Sequence, residues 1–258
     1  MNPSFDKDVF QALVAAMRGG PAANDTRMAA LITSPEQAYA VQDALVQALD
    51  AQWPATGAPP SWKSGAPSRA ATQTHSQLPA YGVRPSGSDM QGLHLRQPGI
   101  EAEIALRLGR AVSADEAAAL THEDAVELVE AMCVSIEVVD SRWSNAKRAP
   151  ELLKLADLQS HGALVLGEWQ RFDNRDWSRQ TCQVRIGDSA WQTFEGTHSL
   201  ADPTWVLPAW LRHATRSGAS VRAGTVVTTG TWCGWLDANA GDRVEASFPD
   251  IGHAIVQL

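Results

Sequence analysis

Paired cysteines, long apolar runs and an excess of positive charge are all missing from this sequence. The three cysteines lie far apart without a Cys-x-x-Cys pair, which excludes a disulfide framework and a zinc knuckle and favours a reducing compartment. No apolar run reaches membrane-spanning length. The first 20 residues carry Asp6, Lys7 and Asp8 rather than the basic-then-apolar order of a secretory signal. We therefore expect a soluble, cytoplasmic protein.

The charge balance excludes further classes of function. A net charge of −8 and a pI near 5.3 argue against a surface for nucleic acid or anionic membranes. A small anionic substrate stays possible, because a bound metal ion would reverse the sign of the local charge. With 258 residues the chain can bury a sizeable core, and its ten tryptophans against two tyrosines are the main departure from ordinary composition.

Periodicity and turn residues predict helices early in the chain and mostly strands later. Residues 51–61 are predicted to be a connection, and the polar residues 66–90 a long loop. The second of two central helices, capped by Thr121, is expected to carry Leu128, Val129 and Met132 on one face. Helices are predicted at 10–17, 34–50, after Ser113 and Thr121, at 151–158 and at 202–218, and strands at 62–64, 100–108, 134–141, 163–166, 181–186, 190–194, 225–229, 243–248 and 254–258.

This order of elements predicts an α+β protein with a mostly β catalytic body. We expect a helical N-terminal region over residues 1–61, followed by a catalytic domain over residues 62–258.

Two glutamates lie close together on one predicted strand. Alternation along residues 100–106 places Glu101 and Glu103 on one face and the apolar side chains on the other. Neighbouring carboxylates repel each other unless a positive charge lies between them, and a hard divalent cation would supply it. The alternative is a solvated strand face, which a bare Glu-x-Glu pattern favours.

Glu137 is the candidate third ligand. It lies on the strand predicted at 134–141, on the face opposite to Ile136 and Val138. A strand–helices–strand connection can bring two strands into one sheet, so the three carboxylates could converge. The alternative is an ion pair between Glu137 and Arg142.

Several segments in order resemble the 2-keto-4-pentenoate hydratase family, the hydratase/decarboxylase branch of the fumarylacetoacetate hydrolase superfamily. Each segment alone is weakly specific, but their ordered combination, from about residue 35 to the C-terminus, is specific. The segments are Ala38-Tyr39-Ala40-Val41-Gln42, Trp62-Lys63-Ser64-Gly65, the two glutamate strands, Ala156-Asp157-Leu158-Gln159-Ser160, Leu164-Val165-Leu166-Gly167, Ala209-Trp210-Leu211, residues 223–231 and Ala240-Gly241-Asp242-Arg243-Val244.

The resemblance implies a fold, a cofactor and a class of substrate. The fold would be a fumarylacetoacetate hydrolase-like mixed β-roll/sandwich body behind the N-terminal helical region. Glu101, Glu103 and Glu137 would bind one Mg²⁺ or Mn²⁺, a donor set that suits a hard cation with open coordination positions. Substrates of the family are 2-keto acids or their 2-hydroxydienoate enols. The resemblance also implies a homo-oligomer, which could form a complex with another enzyme of its pathway.

Four further residues match positions that line the site in the family. Lys63 matches the active-site lysine, and a nearby cation is expected to lower its pKa for proton transfer. Asp157 would orient Lys63 or a water molecule, or else end a helix. Ser160 belongs to the same segment, and Thr231 would bind the substrate carboxylate or else form a turn.

One departure from the family concerns the acid that relatives carry just before the equivalent of Tyr81-Gly82. Here that position is Ala80, and His75, His161 or His198 are candidates to replace the acid. A second departure is Trp232-Cys233-Gly234-Trp235, where bulky side chains would reshape the pocket if they point inward.

The resemblance predicts a metal-dependent hydratase of the 2-oxopent-4-enoate type in aromatic catabolism. Decarboxylation of a 2-keto acid, as in a 4-oxalocrotonate decarboxylase, is the alternative reaction, since both reactions pass through an enolate that a metal ion stabilises. Hydrolysis of an acylpyruvate is less favoured, because no His–Glu pair near the N-terminus stands out. The missing acid also leaves open a metal-binding relative that acts as a partner or scaffold subunit.

Overall fold

The chain folds into two β-sheets with flanking helices. The structure is a computed structural model that describes residues 5–52 and 57–258. The predicted connection at 51–61 therefore lies partly outside the described residues, as does the start of the predicted N-terminal region. The predicted α+β class is confirmed. The division at residue 61 remains a proposal.

The helices begin where side-chain caps are available. Asp6 accepts hydrogen bonds from the backbone N–H groups of Asp8 and Val9, and Ser113 and Thr121 cap the two central helices as predicted. The helices are α1 (Lys7–Met17), α2 (Asp25–Met28), α3 (Pro35–Gln52), α4 (Ala114–Ala119), α5 (His122–Val126), α6 (Glu151–Ala156) and α7 (Leu207–Ala214).

The predicted face of the second central helix is wrong. Helix α5 ends at Val126, and Val129 and Met132 belong to a long strand that begins at Val129, so Leu128 lies between the two elements. Over so few residues, apolar side chains are compatible with a helical period and with a strand period. The structure places Met132 in the sheet, where its side chain is buried.

The strands form one large sheet and one smaller sheet. The large sheet has the order β2-β1-β11-β5-β6-β7-β3, with β12 beside β5 and β8 beside β6, and the smaller has the order β10-β9-β13-β14-β4. The strands are β1 (Ser61–Gly65), β2 (Thr74–Leu78), β3 (Val83–Pro85), β4 (Ser88–Asp89), β5 (Gly99–Leu108), β6 (Val129–Val139), β7 (His161–Leu166), β8 (Gln170–Arg171), β9 (Thr181–Ile186), β10 (Gln192–Glu195), β11 (Val226–Thr228), β12 (Leu236–Asp237), β13 (Arg243–Phe248) and β14 (Gly252–Gln257).

The predicted loop at 66–90 is also wrong, because it contains three short strands, β2, β3 and β4. Strand β2 pairs with β1, β3 with β7, and β4 with β14 in the smaller sheet. Their polar composition gives little periodicity, and the pairing with neighbouring strands stabilises them.

The two largest hydrophobic clusters among the described residues hold these layers together. The larger one lies between the sheets and includes Ile104 and Phe248, both fully buried. The second joins α1 and α3 to Trp143 and to Leu153 on α6. Helix α3 therefore packs against α6 and against β2, the edge strand of the large sheet. None of the described helices has the length and apolar character needed to cross a membrane.

Replacing Leu106 with Ala should destabilise the protein strongly. Leu106 on β5 is fully buried in the larger cluster, and such a truncation costs about 2–5 kcal/mol in the free energy of unfolding. The matched control is Leu31→Ala, at a side chain that is 37% exposed, with an expected cost within about 0.5 kcal/mol. Urea unfolding followed by circular dichroism measures both, and equal losses would contradict this account of the core.

Candidate metal and substrate site

The pairing of two strands brings the three predicted metal ligands together. Strands β5 and β6 run antiparallel, and their register places Glu101 directly opposite Glu137, with Glu103 opposite Ser135. Carboxylate oxygens of the three glutamates lie within 4.8 Å of one another. Opposite oxygen ligands of an octahedral Mg²⁺ ion would be separated by about 4 Å. The cluster therefore has nearly the spacing of a set of metal ligands.

Burial makes the cluster electrostatically costly. Glu137 is fully buried and Glu103 is 2% exposed, whereas Glu101 is half-buried. Burial raises the pKa of Glu101 to about 7, with Glu137 adding to the rise and Lys63 opposing it. Burial and the two other carboxylates raise the pKa of Glu103 to about 8. At neutral pH the site therefore holds protons that a bound cation would displace.

Lys63 places a positive charge beside the three carboxylates. Its Nζ lies 2.6 Å from Glu137 Oε1 and donates a second hydrogen bond of 3.2 Å to the backbone carbonyl of Gln159. Burial lowers the pKa of Lys63, but the three carboxylates raise it further, so the side chain is an ammonium. The predicted lowering by a cation would have to overcome this effect of the carboxylates.

Glu137 is thus paired with Lys63 rather than with Arg142, the partner considered in the alternative interpretation. Burial raises the pKa of Glu137, but Lys63 and His161 lower it below its ordinary value. Its second oxygen, Oε2, is buried with no hydrogen-bond partner among the described residues. A buried carboxylate oxygen without a partner is costly, and a cation would satisfy it.

Thr228 and Gly230 orient Glu103. The hydroxyl of Thr228 donates a short hydrogen bond to Glu103 Oε2, and the Gly230 N–H donates to the same oxygen over 3.0 Å. No pattern around Thr228 singles it out as a partner of Glu103. Its signal was its place in the segment 223–231 that resembles the family, whereas its contact depends on the neighbouring position of β11 and β5.

A cavity of about 930 Å³ opens onto this cluster. Lys63, Glu101 and Glu103 line it together with Ser160 and Thr231, so the two predicted substrate-binding residues lie in the same space. The Thr231 hydroxyl also donates to the Gly234 carbonyl over 3.3 Å. Thr231 is therefore both a turn residue and a cavity residue.

Asp157 pairs with Arg142 rather than with Lys63. Its carboxylate is fully buried and accepts hydrogen bonds from Arg142 Nε at 2.5 Å, from the Arg142 N–H at 2.9 Å and from Ser141 Oγ at 3.4 Å. It makes no hydrogen bond with Lys63 among the described contacts, and it does not line the cavity. Asp157 does not orient Lys63 by contact, because Nε of Arg142 bonds one of its carboxylate oxygens and the backbone N–H of Arg142 bonds the other. It lies at the C-terminal end of α6, the alternative position given for it above.

The three candidate histidines have different surroundings. His75 lines the cavity, and its Nδ1 lies 2.8 Å from Ser64 Oγ on the neighbouring strand, while burial lowers its pKa to about 3. His198 has both ring nitrogens bonded to backbone groups, which removes it as a base. Ala80 does not line the cavity, and its N–H donates to Asp50.

His161 is the histidine at the carboxylate cluster. Its Nδ1 lies 3.2 Å from Glu137 Oε1, and its Nε2 is buried without a hydrogen-bond partner. Burial and the nearby cationic groups lower the pKa of His161, so the ring is neutral at pH 7 and donates through Nδ1. His161 does not line the cavity, so it contacts Glu137 from outside that space.

Only one of the two tryptophans in the predicted aromatic turn points into the cavity. Trp232 packs in the core against Trp177 and Phe248. Trp235 lines the cavity and also a neighbouring one of about 870 Å³, and a Cβ on Gly99 would lie 2.0 Å from its Nε1. The absence of a side chain at residue 99 therefore makes room for Trp235.

Residues 34–258 match the fumarylacetoacetate (FAA) hydrolase C-terminal family. The chain belongs to this family. The match covers the glutamate strands, the lysine strand and the segment 158–160, so the resemblance recognised in the sequence is confirmed.

Relatives within the FAA hydrolase family include two curated hydratases. The chain is 31% identical over 161 residues to 2-keto-4-pentenoate hydratase 1 of Dechloromonas aromatica, which covers 62% of this chain and 59% of the relative. It is 29% identical over 256 residues to the TodF product hydratase of Pseudomonas putida, covering 93% of this chain and 90% of the relative. The chain thus spans about three fifths of the length of the first relative.

The fold is similar to that of a solved decarboxylase. The 4-oxalocrotonate decarboxylase from Pseudomonas putida G7, complexed with magnesium and adipate, superimposes with a TM-score of 0.82 at 18% identity, over 100% of this chain and 99% of that one. At 18% identity the similarity shows that the two proteins share a fold. Together with the family match, it confirms the predicted fumarylacetoacetate hydrolase-like body.

Without metal, the protein should become less stable as the pH rises from about 4.5 to about 8. The folded-state pKa values of Glu101 and Glu103 lie above their unfolded values, so their protonated forms stabilise the fold. This contribution is complete below about pH 4.5 and is lost as the pH rises through about 7 and 8. In EDTA, Glu103→Gln should lessen the fall in Tm, because the amide has no proton to lose.

The control for this measurement is Glu130→Gln, at an exposed glutamate near the start of β6 that pairs with Arg107. Its curve of Tm against pH should run parallel to that of the wild type. A Glu103→Gln curve that also runs parallel to the wild type would contradict the raised pKa of Glu103.

Proposed function

We propose that this protein is a divalent-metal-dependent lyase acting on a small 2-keto acid or its 2-hydroxydienoate enol. The observation that carries the proposal is the convergence of three carboxylates beside Lys63, two of them buried, with Glu137 Oε2 unpaired among the described residues. Membership of the FAA hydrolase family and the two hydratase relatives support the class of reaction. Hydration of a substrate of the 2-oxopent-4-enoate type, in aromatic catabolism, is the first candidate reaction.

The residues of the cluster fit a hard divalent ion, and Mg²⁺ or Mn²⁺ is our proposal. Glu101, Glu103 and Glu137 would hold it, because all three offer carboxylate oxygens, which such ions prefer. When all three are ionised, two negative charges remain after Lys63 is counted, which one divalent ion would neutralise. A bound ion would act as a Lewis acid towards the oxygen of a 2-keto acid on which negative charge develops.

Lys63 is proposed to move the proton. Its ammonium lines the cavity and its direction is fixed by Glu137 and by the Gln159 carbonyl. A positioned ammonium can donate a proton to the substrate and take it back through the same contact. Ser160 and Thr231 lie along the same cavity and are proposed to bind polar groups of the substrate.

Decarboxylation of a 2-keto acid is the second candidate reaction. It is favoured by the superposition on the 4-oxalocrotonate decarboxylase, which covers the whole of this chain. Loss of CO₂ from a carbon that is conjugated with the keto group and conjugate addition of water to the unsaturated keto form both leave an electron pair that is delocalised onto the keto oxygen as an enolate. The cluster can therefore serve either reaction, and the shape of the cavity around Trp235 would decide between substrates.

The assembly and location of the protein are also proposals. Relationship to the hydratase family supports a homo-oligomer in the cytoplasm, working alone or with another enzyme of its pathway. A catalytically inactive metal-binding subunit of such a complex remains the alternative from a different class.

One assay with added Mg²⁺ separates these functions. Loss of the ultraviolet absorbance of a 2-hydroxydienoate without release of CO₂ is the expected result and indicates hydration. Release of CO₂ from a 2-keto acid would indicate decarboxylation instead. If Mg²⁺ binds but no 2-keto acid in a panel reacts, the protein is not a lyase of this class.

Two substitutions should separate metal binding from proton transfer. Glu103→Gln should abolish both Mg²⁺ binding, measured by isothermal titration calorimetry, and turnover, because it removes one charged ligand. Lys63→Ala should keep Mg²⁺ binding and lower turnover by about 10²–10⁴-fold, the range for loss of a general acid–base group.

Glu130→Gln is the control for both measurements and should bind Mg²⁺ and turn over substrate as the wild type does. Undiminished Mg²⁺ affinity in Glu103→Gln would refute the ligand assignment, and undiminished turnover in Lys63→Ala would refute the role of the lysine.

A further inference from the structure

Three successive residues beside Lys63 have left-handed backbone conformations. Leu158, Gln159 and Ser160 have φ values of 52°, 54° and 61°, and none of them is glycine. Side chains with a Cβ rarely adopt this region, and then usually as single residues. Such a turn persists only where its surroundings impose it.

This left-handed turn (residues 158–160) forms part of the proposed active site. The carbonyl of Gln159 accepts a hydrogen bond from Lys63 Nζ at 3.2 Å, and Ser160 lines the cavity. The amide side chain of Gln159 donates a short hydrogen bond to Thr74 Oγ1 on β2. The conformation of the turn therefore sets one of the two hydrogen bonds that direct the lysine.

Arg142 holds both ends of the turn. It is 4% exposed, and its guanidinium donates to the carbonyl of Asp157 over 2.7 Å, just before the turn, and to the carbonyl of His161 over 2.5 Å, just after it. A third carbonyl, that of Asp140, lies 2.5 Å from the same guanidinium. One planar group thus fixes the distance between the two backbone positions that the turn connects.

Asp157 holds Arg142 in this orientation. Its carboxylate accepts from Arg142 Nε and from the Arg142 N–H. Two backbone hydrogen bonds complete the arrangement: Ser160 N–H donates to the Asp157 carbonyl over 2.8 Å, and Asp140 N–H donates to the Ser160 carbonyl over 2.7 Å. The ion pair and these bonds form a continuous network that encloses the turn.

We propose that Arg142 and Asp157 are positioning residues that force the left-handed turn and thereby direct the Gln159 carbonyl at Lys63. Neither side chain lines the cavity, so their effect on the reaction passes through the turn. This inference rests on the proposed function for its effect on turnover, but its structural half, the dependence of the turn on Arg142, does not.

Arg142→Lys tests the proposal, because lysine keeps the charge but lacks the planar fork that reaches both flanking carbonyls. We expect kcat to fall at least tenfold with Mg²⁺ affinity within twofold of the wild type. Amide hydrogen exchange should rise in the peptide that covers residues 157–161 more than elsewhere. The matched control is Arg96→Lys, whose guanidinium bonds the carbonyls of Ala16 and Gly20 in the N-terminal region, and it should keep its kcat.

Glycine in the turn distinguishes positioning from a general structural role. Glycine adopts the left-handed region without a steric cost, so a turn with Gln159→Gly depends less on Arg142. Arg142→Lys should therefore lower kcat by a smaller factor in the Gln159→Gly background than in the wild type. Equal factors in both backgrounds would overturn the proposal, as would unchanged kcat or unchanged exchange at 157–161 in Arg142→Lys.

Asp157→Asn serves if Arg142→Lys does not fold. Asparagine keeps the size of the side chain and the backbone carbonyl but removes the ion pair with Arg142. The rise in amide hydrogen exchange and the fall in kcat should therefore both appear, each smaller than in Arg142→Lys. Wild-type behaviour in both measurements would overturn the proposal. If the wild type turns over no 2-keto acid, the proposed function fails, and the exchange measurement alone then judges the dependence of the turn on Arg142.

Discussion

Repulsion among three neighbouring carboxylates, two of them buried, is the constraint on which the rest of this structure depends. Glu101 and Glu137 lie directly opposite each other on paired strands, an arrangement that destabilises a sheet unless positive charge or protons compensate. Lys63 provides part of that compensation, and the hydrogen bonds from Thr228 and Gly230 to Glu103 provide another part. An arrangement this costly is typical of functional sites rather than of structural ones.

The sheet order explains how residues distant in sequence share the cost. Strand β11 lies between β1 and β5, so it places Thr228 between Lys63 and the glutamates of β5. Strand β7 follows β6 on the other side and brings His161 to Glu137. Each neighbouring strand of the cluster thus contributes one group that orients or neutralises a carboxylate.

A second layer of interactions lies behind the cavity and carries no ligand of its own. The Arg142–Asp157 pair is buried, and in such a pair the cost of desolvation offsets much of the attraction. The pair therefore adds little net stability, and its main effect is on the conformation of the turn at residues 158–160. That turn presents the Gln159 carbonyl to Lys63. The same reasoning explains why a residue that matches an active-site segment need not touch the substrate.

The sequence by itself determined the class of the fold, the family and the identity of the three converging glutamates. Alternation on a strand is a local property. It correctly placed Glu101 and Glu103 on one face and also selected Glu137 on the strand predicted at 134–141. The ordered segments then selected Lys63. The capping residues of the central helices were equally local, and so they were predicted correctly at Ser113 and Thr121.

Only the tertiary structure decided which partner each of these residues has. Asp157 pairs with Arg142, and Glu137 pairs with Lys63 and His161, because these contacts join strands and turns that are distant in sequence. The strands within 66–90 were missed because short polar strands derive their stability from the neighbours with which they pair. The left-handed turn at 158–160 has no signal in its composition, since it is imposed by a guanidinium that reaches it from another segment.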